Sequence, residues 1–247
     1  MKHLTILPLC FILGLLASGC AVTNPQITPP MPAVEADEKP ALGGSLFPSD
    51  QAVLGDEAIA RILGSSVTIP AGARIALMRF PDADSSRAYG RYYWADEGYL
   101  KVQQGFMDTL ENALMASGVV REATPLPSLM TPRNPSLPIL REAAVRMQAD
   151  LLLIYRIRSA TYSKYRMFAG DSVKAFSTCE VVLLDVRTGI VPFSKIITRE
   201  HLEKRQKSDM ELAETMRRTE EAAATDALEA AAEELVSFLR ARVAREG

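Results

Sequence analysis

The residue types that most often do chemistry are scarce in this chain. It has three cysteines, at positions 10, 20 and 179, and two histidines, at positions 3 and 201. No two cysteines have the C-x-x-C spacing of a zinc or redox site, and two histidines are too few for a histidine-rich metal cluster. We therefore expect no metal and no other cofactor.

The common catalytic motifs are missing as well. The sequence has no G-x-S-x-G, P-loop, G-x-G-x-x-G or H-E-x-x-H pattern. His201 is predicted to be a surface residue, and Cys179 a small core residue of a strand. We therefore expect a protein that is not an enzyme. A glycan-processing enzyme is the alternative, because two pairs of neighbouring acids could flank a sugar: Asp82 with Asp84, and Asp96 with Glu97.

Residues 87–94 concentrate side chains that carry binding energy. This segment, RAYGRYYW, holds three of the seven tyrosines and the only tryptophan. Tyr, Trp and Arg are enriched at the centres of interfaces, and aromatic rings also stack on sugars. A lid over the core would use the same rings, so a contact surface and a lid both stay open. The candidate partner-contact residues are Arg87, Tyr89, Arg91, Tyr92, Tyr93 and Trp94.

The charge of the chain is nearly balanced. The 28 Lys and Arg residues against 30 Asp and Glu residues give a net charge of −2, so we expect no nucleic-acid partner. Between positions 158 and 174, however, cations recur at even positions. They would form a basic ridge that meets an acidic partner surface or a glycan, or a solvated face that shields a sheet edge. The ridge residues are Arg158, Lys164, Arg166 and Lys174, flanked by Tyr155, Tyr162 and Tyr165.

The first twenty residues, MKHLTILPLCFILGLLASGC, have the pattern of an export signal. Lys2 gives the positive start. The apolar run from Leu4 to Leu16 would be about 20 Å long as a helix, shorter than the ~30 Å hydrocarbon core of a bilayer. Residues 16–20, LASGC, resemble the lipobox of bacterial lipoproteins, in which the cysteine is acylated and becomes the first residue after cleavage.

That resemblance implies a signal peptide over residues 1–19 and a lipid anchor, such as palmitate, on Cys20. The chain would then contact a membrane through Cys20, and Ala21 after the cysteine favours the outer membrane. A secretory signal with an incidental cysteine is the alternative. Residues 20–44 are rich in proline, at 25, 29, 30, 32 and 40, which predicts an extended tether. Residues 45–247 are expected to form one α/β domain.

Periodicity predicts the elements of that domain. We expect strands at 74–80 and 151–157 and from Val119 onward, and a hairpin of 173–186 with 190–198 around the turn Asp185–Gly189 (DVRTG). Helices are expected at 56–63, at 99–117 with Gly118 as C-cap, at 137–148 with Ser136 as N-cap, and at 202–246. The first part of the last helix, 204–221, is polar enough to project from the domain. Its second part carries an apolar stripe: Leu228, Ala231, Leu235, Phe238, Leu239 and Val243.

The order of these elements and four short stretches resemble the curli-secretion channel lipoproteins and their relatives. The stretches are 74–80 (RIALMRF), 103–118, 149–155 (ADLLLIY) and 182–189 (VLLDVRTG). The relatives include the polysaccharide-export lipoproteins, the penicillin-binding-protein activator lipoproteins and the amino-terminal domain of the Tol-Pal β-propeller protein. The resemblance implies an α/β fold of the α+β two-layer sandwich type. It would have a mixed sheet with a long β-hairpin, helices packed on the sheet and a long C-terminal helix.

The expected function is that of a membrane-anchored, periplasm-facing lipoprotein, a binding or assembly factor of the cell envelope. Its partner would be an envelope protein or a glycan, and a homo-oligomer is also open. The alternative is a subunit of an oligomeric outer-membrane secretion complex or pore. Residues 158–174 argue against the pore, because one face of this stretch is charged and the other is hardly apolar.

Overall fold

The computed structural model describes residues 46, 55–80, 97–131, 135–164, 172–206, 209 and 212–246. All of them belong to one unit of the chain, Ala41–Gly247.

The first half of this unit alternates helices and parallel strands. Helix α1 (Asp56–Leu63) precedes β1 (Ala73–Arg79), and α2 (Glu97–Met115), β2 (Val120–Pro125), α3 (Leu137–Arg146) and β3 (Leu151–Lys164) follow. Strands β2 and β3 both pair in parallel with β1, one on each side of it. Two crossover units therefore place β1 between its two successors, as expected for short apolar strands joined by helices.

The second half is an antiparallel hairpin followed by one long helix. Strand β4 (Ser172–Asp185) pairs along its whole length with β3, and β5 (Phe193–Lys204) pairs with β4. The five-stranded sheet has the order β2-β1-β3-β4-β5, which leaves β2 and β5 at its edges. Helix α4 (Leu212–Glu246) ends the fold. Pro192 lies directly before the edge strand β5, where its missing N–H removes no ladder bond.

The larger core lies between one face of the sheet and the helices α2 and α4. Odd-numbered residues of β3 and β4, such as Leu153 and Leu183, point into it and are fully buried. Each such leucine contributes about 1.5–3 kcal/mol by burial. The predicted apolar stripe of the last helix is confirmed, because all six of its residues belong to this cluster or pack against it.

A smaller core occupies the opposite face, near the start of β3. Leu140 and Ala144 of α3 cover Leu152, Ile154 and Leu184, which are the even-numbered residues at this end of the sheet. Helix α3 is only ten residues long. Ten residues span about 15 Å, so α3 covers the first part of this face, and no helix of the described residues covers the distal part of β3, β4 and β5.

The hairpin turn at Asp185–Gly189 is held from two directions. The Asp185 carboxylate accepts a hydrogen bond of 2.8 Å from the Thr188 amide. Arg141 of α3 donates from Nε to the Val186 carbonyl at 2.9 Å and from Nη2 to the Arg187 carbonyl. Gly189 has φ 76°, and a Cβ at this position would come 3.2 Å from the Arg141 guanidinium. Both facts require glycine at the end of the turn.

The predicted fold class is confirmed: an α/β domain with a mixed sheet, a long hairpin, helices packed on the sheet and a long C-terminal helix. Several boundaries differ from the prediction; β5, for example, spans Phe193–Lys204 where 190–198 was expected. Two differences are larger. Strand β3 continues to Lys164, well past Ile157, because Ser159 to Lys164 pair residue by residue with β4. The last helix begins at Leu212, whereas Leu202 to Lys204 belong to β5.

The start of α4 does not project, and that prediction was wrong. Asp209 is 8% exposed and accepts hydrogen bonds from Arg218 at 3.0 Å, from Thr215 at 2.7 Å and from the Gln206 amide at 2.9 Å. Arg218 also donates from Nε to Glu203 of β5 at 2.7 Å. These bonds fasten the first turns of the helix to the end of β5, and they supply a polar reason for packing that apolar periodicity does not show.

The hydrogen-bond network of Asp209, Arg218 and Glu203 makes the stability of the fold depend on pH. The hydrogen bonds from Arg218, Thr215 and the Gln206 amide hold the pKa of Asp209 well below its usual range. A carboxyl with a lowered folded-state pKa contributes stability above its unfolded pKa, about 3.9, and loses it as the pH falls further. We predict that Asp209→Asn lowers the urea midpoint at neutral pH and that the gap to wild type narrows from about pH 5 toward pH 2.

The control is Glu229→Gln, on the exposed side of α4, which should leave the midpoint unchanged at every pH. A wild-type-to-Asp209→Asn gap that stays constant or widens in acid would contradict the role given to the network.

Candidate partner-binding face

The distal half of the hairpin sheet presents one face that no helix of the described chain covers. Cross-strand pairing aligns its side chains in four rows, from Arg156–Glu180–Ile196 to Tyr162–Lys174–Leu202. We call this surface the open face. Its residues are Arg156, Arg158, Ala160 and Tyr162 of β3; Lys174, Phe176, Thr178 and Glu180 of β4; and Ile196, Thr198, Glu200 and Leu202 of β5.

The open face exposes large apolar side chains. Ile196 is 71% exposed, Leu202 67% and Tyr162 63%. The Tyr162 ring meets Phe176 edge to face, with 5.8 Å between ring centroids and an interplanar angle of 83°. Lys174 Nζ lies 4.7 Å from the centroid of the Phe176 ring. Tyr162, Phe176 and Leu202 lie in the last two rows of the face, whereas Ile196 lies in the first. Apolar side chains that are exposed together in this way make the end of the face a candidate binding surface.

Its charged side chains are already organised by ion pairs. Glu180 receives Arg156 Nη2 at 2.6 Å and also contacts Arg158 Nη2. Partial burial raises the pKa of Glu180, but the hydrogen bonds and charges of Arg156 and Arg158 outweigh that effect and lower the pKa overall. Two cations against one carboxylate leave positive charge at this end of the face.

At the other end, Lys174 pairs with Glu200 at 2.7 Å, and Lys204 continues the even-numbered face of β5. Arg156, Arg158 and Lys174 against Glu180 and Glu200 give 3 − 2 = +1 for the open face, and Lys204 lies just beyond its last row. The surface therefore offers apolar contact area with an excess of positive charge.

The basic ridge predicted from even positions is divided between two strands. Arg158 lies in β3 and Lys174 in β4. Both fall on the open face. Arg158 pairs with Thr178 and Tyr162 pairs with Lys174, so even-numbered residues of β3 lie opposite even-numbered residues of β4. Tyr155 does not flank the ridge: it is 1% exposed and lies in the larger core on the opposite face. The ridge as a partner contact stays a prediction.

Other candidate residues lie outside the described part of the chain. These are Cys20, the acids Asp82, Asp84 and Asp96, the ridge residue Arg166, the side chains of Glu97 and Lys164, and the aromatic segment with Arg87, Tyr89, Arg91, Tyr92, Tyr93 and Trp94.

The sequence gives Cys179 and His201 no catalytic role, and the structure shows what surrounds each of them. Cys179 is fully buried in β4, as predicted for a core residue. His201 lies on β5 with its side chain 39% exposed and Nδ1 3.5 Å from Asp226 of α4, so it is half-buried between strand and helix and not fully solvated. Within the described residues, no group of three or more His, Cys, Asp or Glu side chains is placed to hold a metal ion.

Sequence reasoning missed the acid that organises the face. Glu180 is one charge in an otherwise apolar stretch of β4, and its partners Arg156 and Arg158 lie more than twenty residues earlier in the chain. Only the β3–β4 register brings them together, and the register depends on a strand boundary that the sequence did not predict.

Comparisons with known proteins give similarity in fold alone. No protein-family model matches the chain, and no curated protein matches it. The chain is similar to a PelC dodecamer from Paraburkholderia phytofirmans, at 15% identity and a TM-score of 0.34; the match covers 71% of this chain and 94% of that one.

Two further similar structures are lipoproteins. One is a minor lipoprotein from Acinetobacter baumannii, at 9% identity and a TM-score of 0.34, with 71% of this chain and 94% of that one covered. The other is a lipoprotein from Neisseria meningitidis, at 13% identity and a TM-score of 0.30, with 58% and 91% covered. Function is therefore inferred from this chain's own residues.

The environment of Cys179 gives a direct test of the strand register. Burial raises the pKa of its thiol to about 12, and the neighbouring Glu180 carboxylate adds to the effect. Because the thiolate is the reactive form, we predict that iodoacetamide at about pH 8 leaves Cys179 unmodified in the folded protein and alkylates it in guanidinium chloride.

The matched variant is Glu180→Gln, which should stay unreactive while folded, because burial is the larger cause. Rapid alkylation of the folded wild type, read by peptide mass spectrometry, would show that β4 does not bury its odd-numbered side chains.

Proposed function

We propose that this chain is a lipid-anchored, periplasm-facing protein of the cell envelope that binds or assembles partner proteins and is not a catalyst. The observation that carries the binding role is the open face, with three large apolar side chains more than 60% exposed beside an excess of cations. An apolar, acidic protein surface fits this chemistry. Exposed aliphatic residues such as Ile196 and Leu202 favour a protein partner over a glycan, because sugars stack on aromatic rings.

The anchor part of the proposal rests on the amino-terminal sequence. Residues 16–20 read LASGC after an apolar run, and a proline-rich stretch separates Cys20 from the folded unit. Acyl chains stabilise membrane binding by about 0.8 kcal/mol per buried CH₂, so several chains give a firm anchor. Ala21 favours the outer membrane as the destination. No helix in the described ranges is both long enough and apolar enough to cross a bilayer.

The anchor is tested by metabolic labelling with palmitate in a Gram-negative host. The wild-type chain should take up label and sediment with the outer membrane in a density gradient. Cys20→Ala should lose the label and leave the membrane, whereas Cys179→Ala should keep both, since that thiol is buried. Equal labelling of wild type and Cys20→Ala would contradict acylation at this residue.

The binding role is tested by photo-crosslinking in the same cells. A benzoylphenylalanine residue at Thr198, an exposed position in the middle rows of the open face, should give adducts of discrete mass. The adducts should disappear when Leu202→Glu is added, because a buried charge opposes apolar contact. The matched control is Leu129, which is 98% exposed and lies in the short helical turn Ser128–Met130, outside the open face. Adducts of the same masses from both positions would contradict a specific surface.

A further inference from the structure

Helix α1 is an amphipathic helix with no partner in the described chain. None of its eight residues is buried. Its apolar residues Ile59, Ile62 and Leu63 follow the i, i+3, i+4 spacing of one helix side and are 40%, 41% and 80% exposed. A helix shorter than about 12 residues is marginal in water, so its apolar side requires a surface to pack on.

The open face is a surface that lacks a helix. At the proximal end of this same sheet face, Leu140 and Ala144 of α3 cover Leu152, Ile154 and Leu184. The distal rows carry no helix among the described residues, although Tyr162, Ile196 and Leu202 are apolar. Packing of an amphipathic helix on a sheet face is the usual way in which both surfaces are buried.

The charges of the two surfaces are complementary. Helix α1 carries Asp56 and Glu57 in its first turn and Arg61 in its last turn, a net charge of −1. The side chains of the open face sum to +1, as counted above. The opposite net charges favour an encounter between α1 and the open face. Two open faces carry the same net charge, which disfavours contact between them.

The helix of the same copy does not reach the last row of the open face, Tyr162–Lys174–Leu202. Gly72 is fixed at the far end of the sheet, because its amide N–H donates a hydrogen bond of 3.0 Å to the Val119 carbonyl. Ile75 lies opposite Leu151, so Tyr162 is fourteen residues further along than Gly72, or about 46 Å. Nine residue steps separate Leu63 from Gly72, and they span at most about 32 Å even when fully extended.

We propose that α1 of one copy docks on the distal open face of a second copy, with Ile59, Ile62 and Leu63 against Tyr162, Phe176 and Leu202. The contact deepens the proposed binding function and rests on it, since it names a second copy of this chain as the partner. A common membrane anchor would raise the local concentration of copies, which suits a small interface that is weak in solution. Reciprocal docking in a closed dimer doubles the buried area, and head-to-tail docking builds a larger closed assembly.

The inference is tested by site-directed crosslinking between two differently tagged copies. One copy carries Ile62→Cys and the other Leu202→Cys, and a short bismaleimide is added to membranes from cells that express both. Acylation of Cys20 and burial of Cys179 keep the background low. The expected result is an adduct that carries both tags. The control replaces Ile62→Cys by Leu129→Cys, at an exposed leucine on neither surface, and should give no such adduct.

A second measurement separates this contact from other occupants of either surface. In sedimentation of the purified, detergent-solubilised full chain, Ile62→Glu with Leu63→Glu should weaken self-association at least about tenfold, the effect of 1.4 kcal/mol. Leu129→Glu should change nothing. A fluorophore on Ile62→Cys that is quenched by lipid-borne quenchers would place α1 in the bilayer and overturn the proposal.

A monomeric wild type that gives no mixed-tag adduct would overturn it as well. If benzoylphenylalanine at position 198 then still forms an adduct with a different protein, the binding function stands and only the second-copy inference fails. If Thr198 gives no adduct either, the proposed binding function fails with it.

Discussion

The structure depends on how much of each face of its sheet is covered by helices. Five strands present two faces, and an apolar face is stable only when another element covers it. Helices α2 and α4 cover one face from end to end, and the largest set of fully buried leucines lies beneath them. Helix α3 covers only the first rows of the other face. The distal half of that face is therefore built from paired charges, hydroxyls and a few large apolar residues.

The long hairpin is stable in spite of its open side because its other side is fully packed. Val173, Ala175, Ser177 and Cys179 of β4 are buried beneath α4. The network of Asp209, Arg218 and Glu203 then fixes where the strand ends and the helix begins. On the open side, pairs across the strands hold the surface in one arrangement: Glu180 with its two arginines, and Thr178 with Thr198 at 2.9 Å. A surface fixed in this way loses little conformational entropy when it binds a partner.

Most of the fold follows from local patterns in the sequence. Helix α1 has the predicted bounds, β1 and α2 lie within two residues of them, and Gly118 adopts the positive φ of 76° that a C-cap glycine takes. The extension of β3 from Ser159 to Lys164 could not be predicted in the same way, since polar residues in an exposed strand resemble a loop. It is stabilised by pairing with β4, including a 2.7 Å contact between the Ser159 and Ser177 hydroxyls. The true start of α4 depends on Asp209, whose partners Gln206, Thr215 and Arg218 are polar and give no apolar periodicity.

The binding surface was predicted only in part. Parity in the sequence placed Arg158 and Lys174 on one face, but the pairing of β3 with β4 that brings them together was not predicted. The exposed apolar residues Ile196 and Leu202 were not predicted, because alternation in β5 gives no sign of which face a helix will cover. The same limit applies to α1: its amphipathic pattern is plain in the sequence, but only the structure shows that nothing in the described chain packs on it.

Hydroxyl-radical footprinting of leucines in isolated membranes tests the central claim most directly, because one residue type sets its own reactivity scale. In a single copy, Leu202 is 67% exposed, Leu63 80% and Leu129 98%. The account predicts that Leu202 and Leu63 are both oxidised several-fold less than Leu129 in the anchored protein, because each is covered by another copy. Oxidation of the three leucines in proportion to their single-copy exposure, with Leu202 at about two-thirds of Leu129 (67% against 98%), would contradict it.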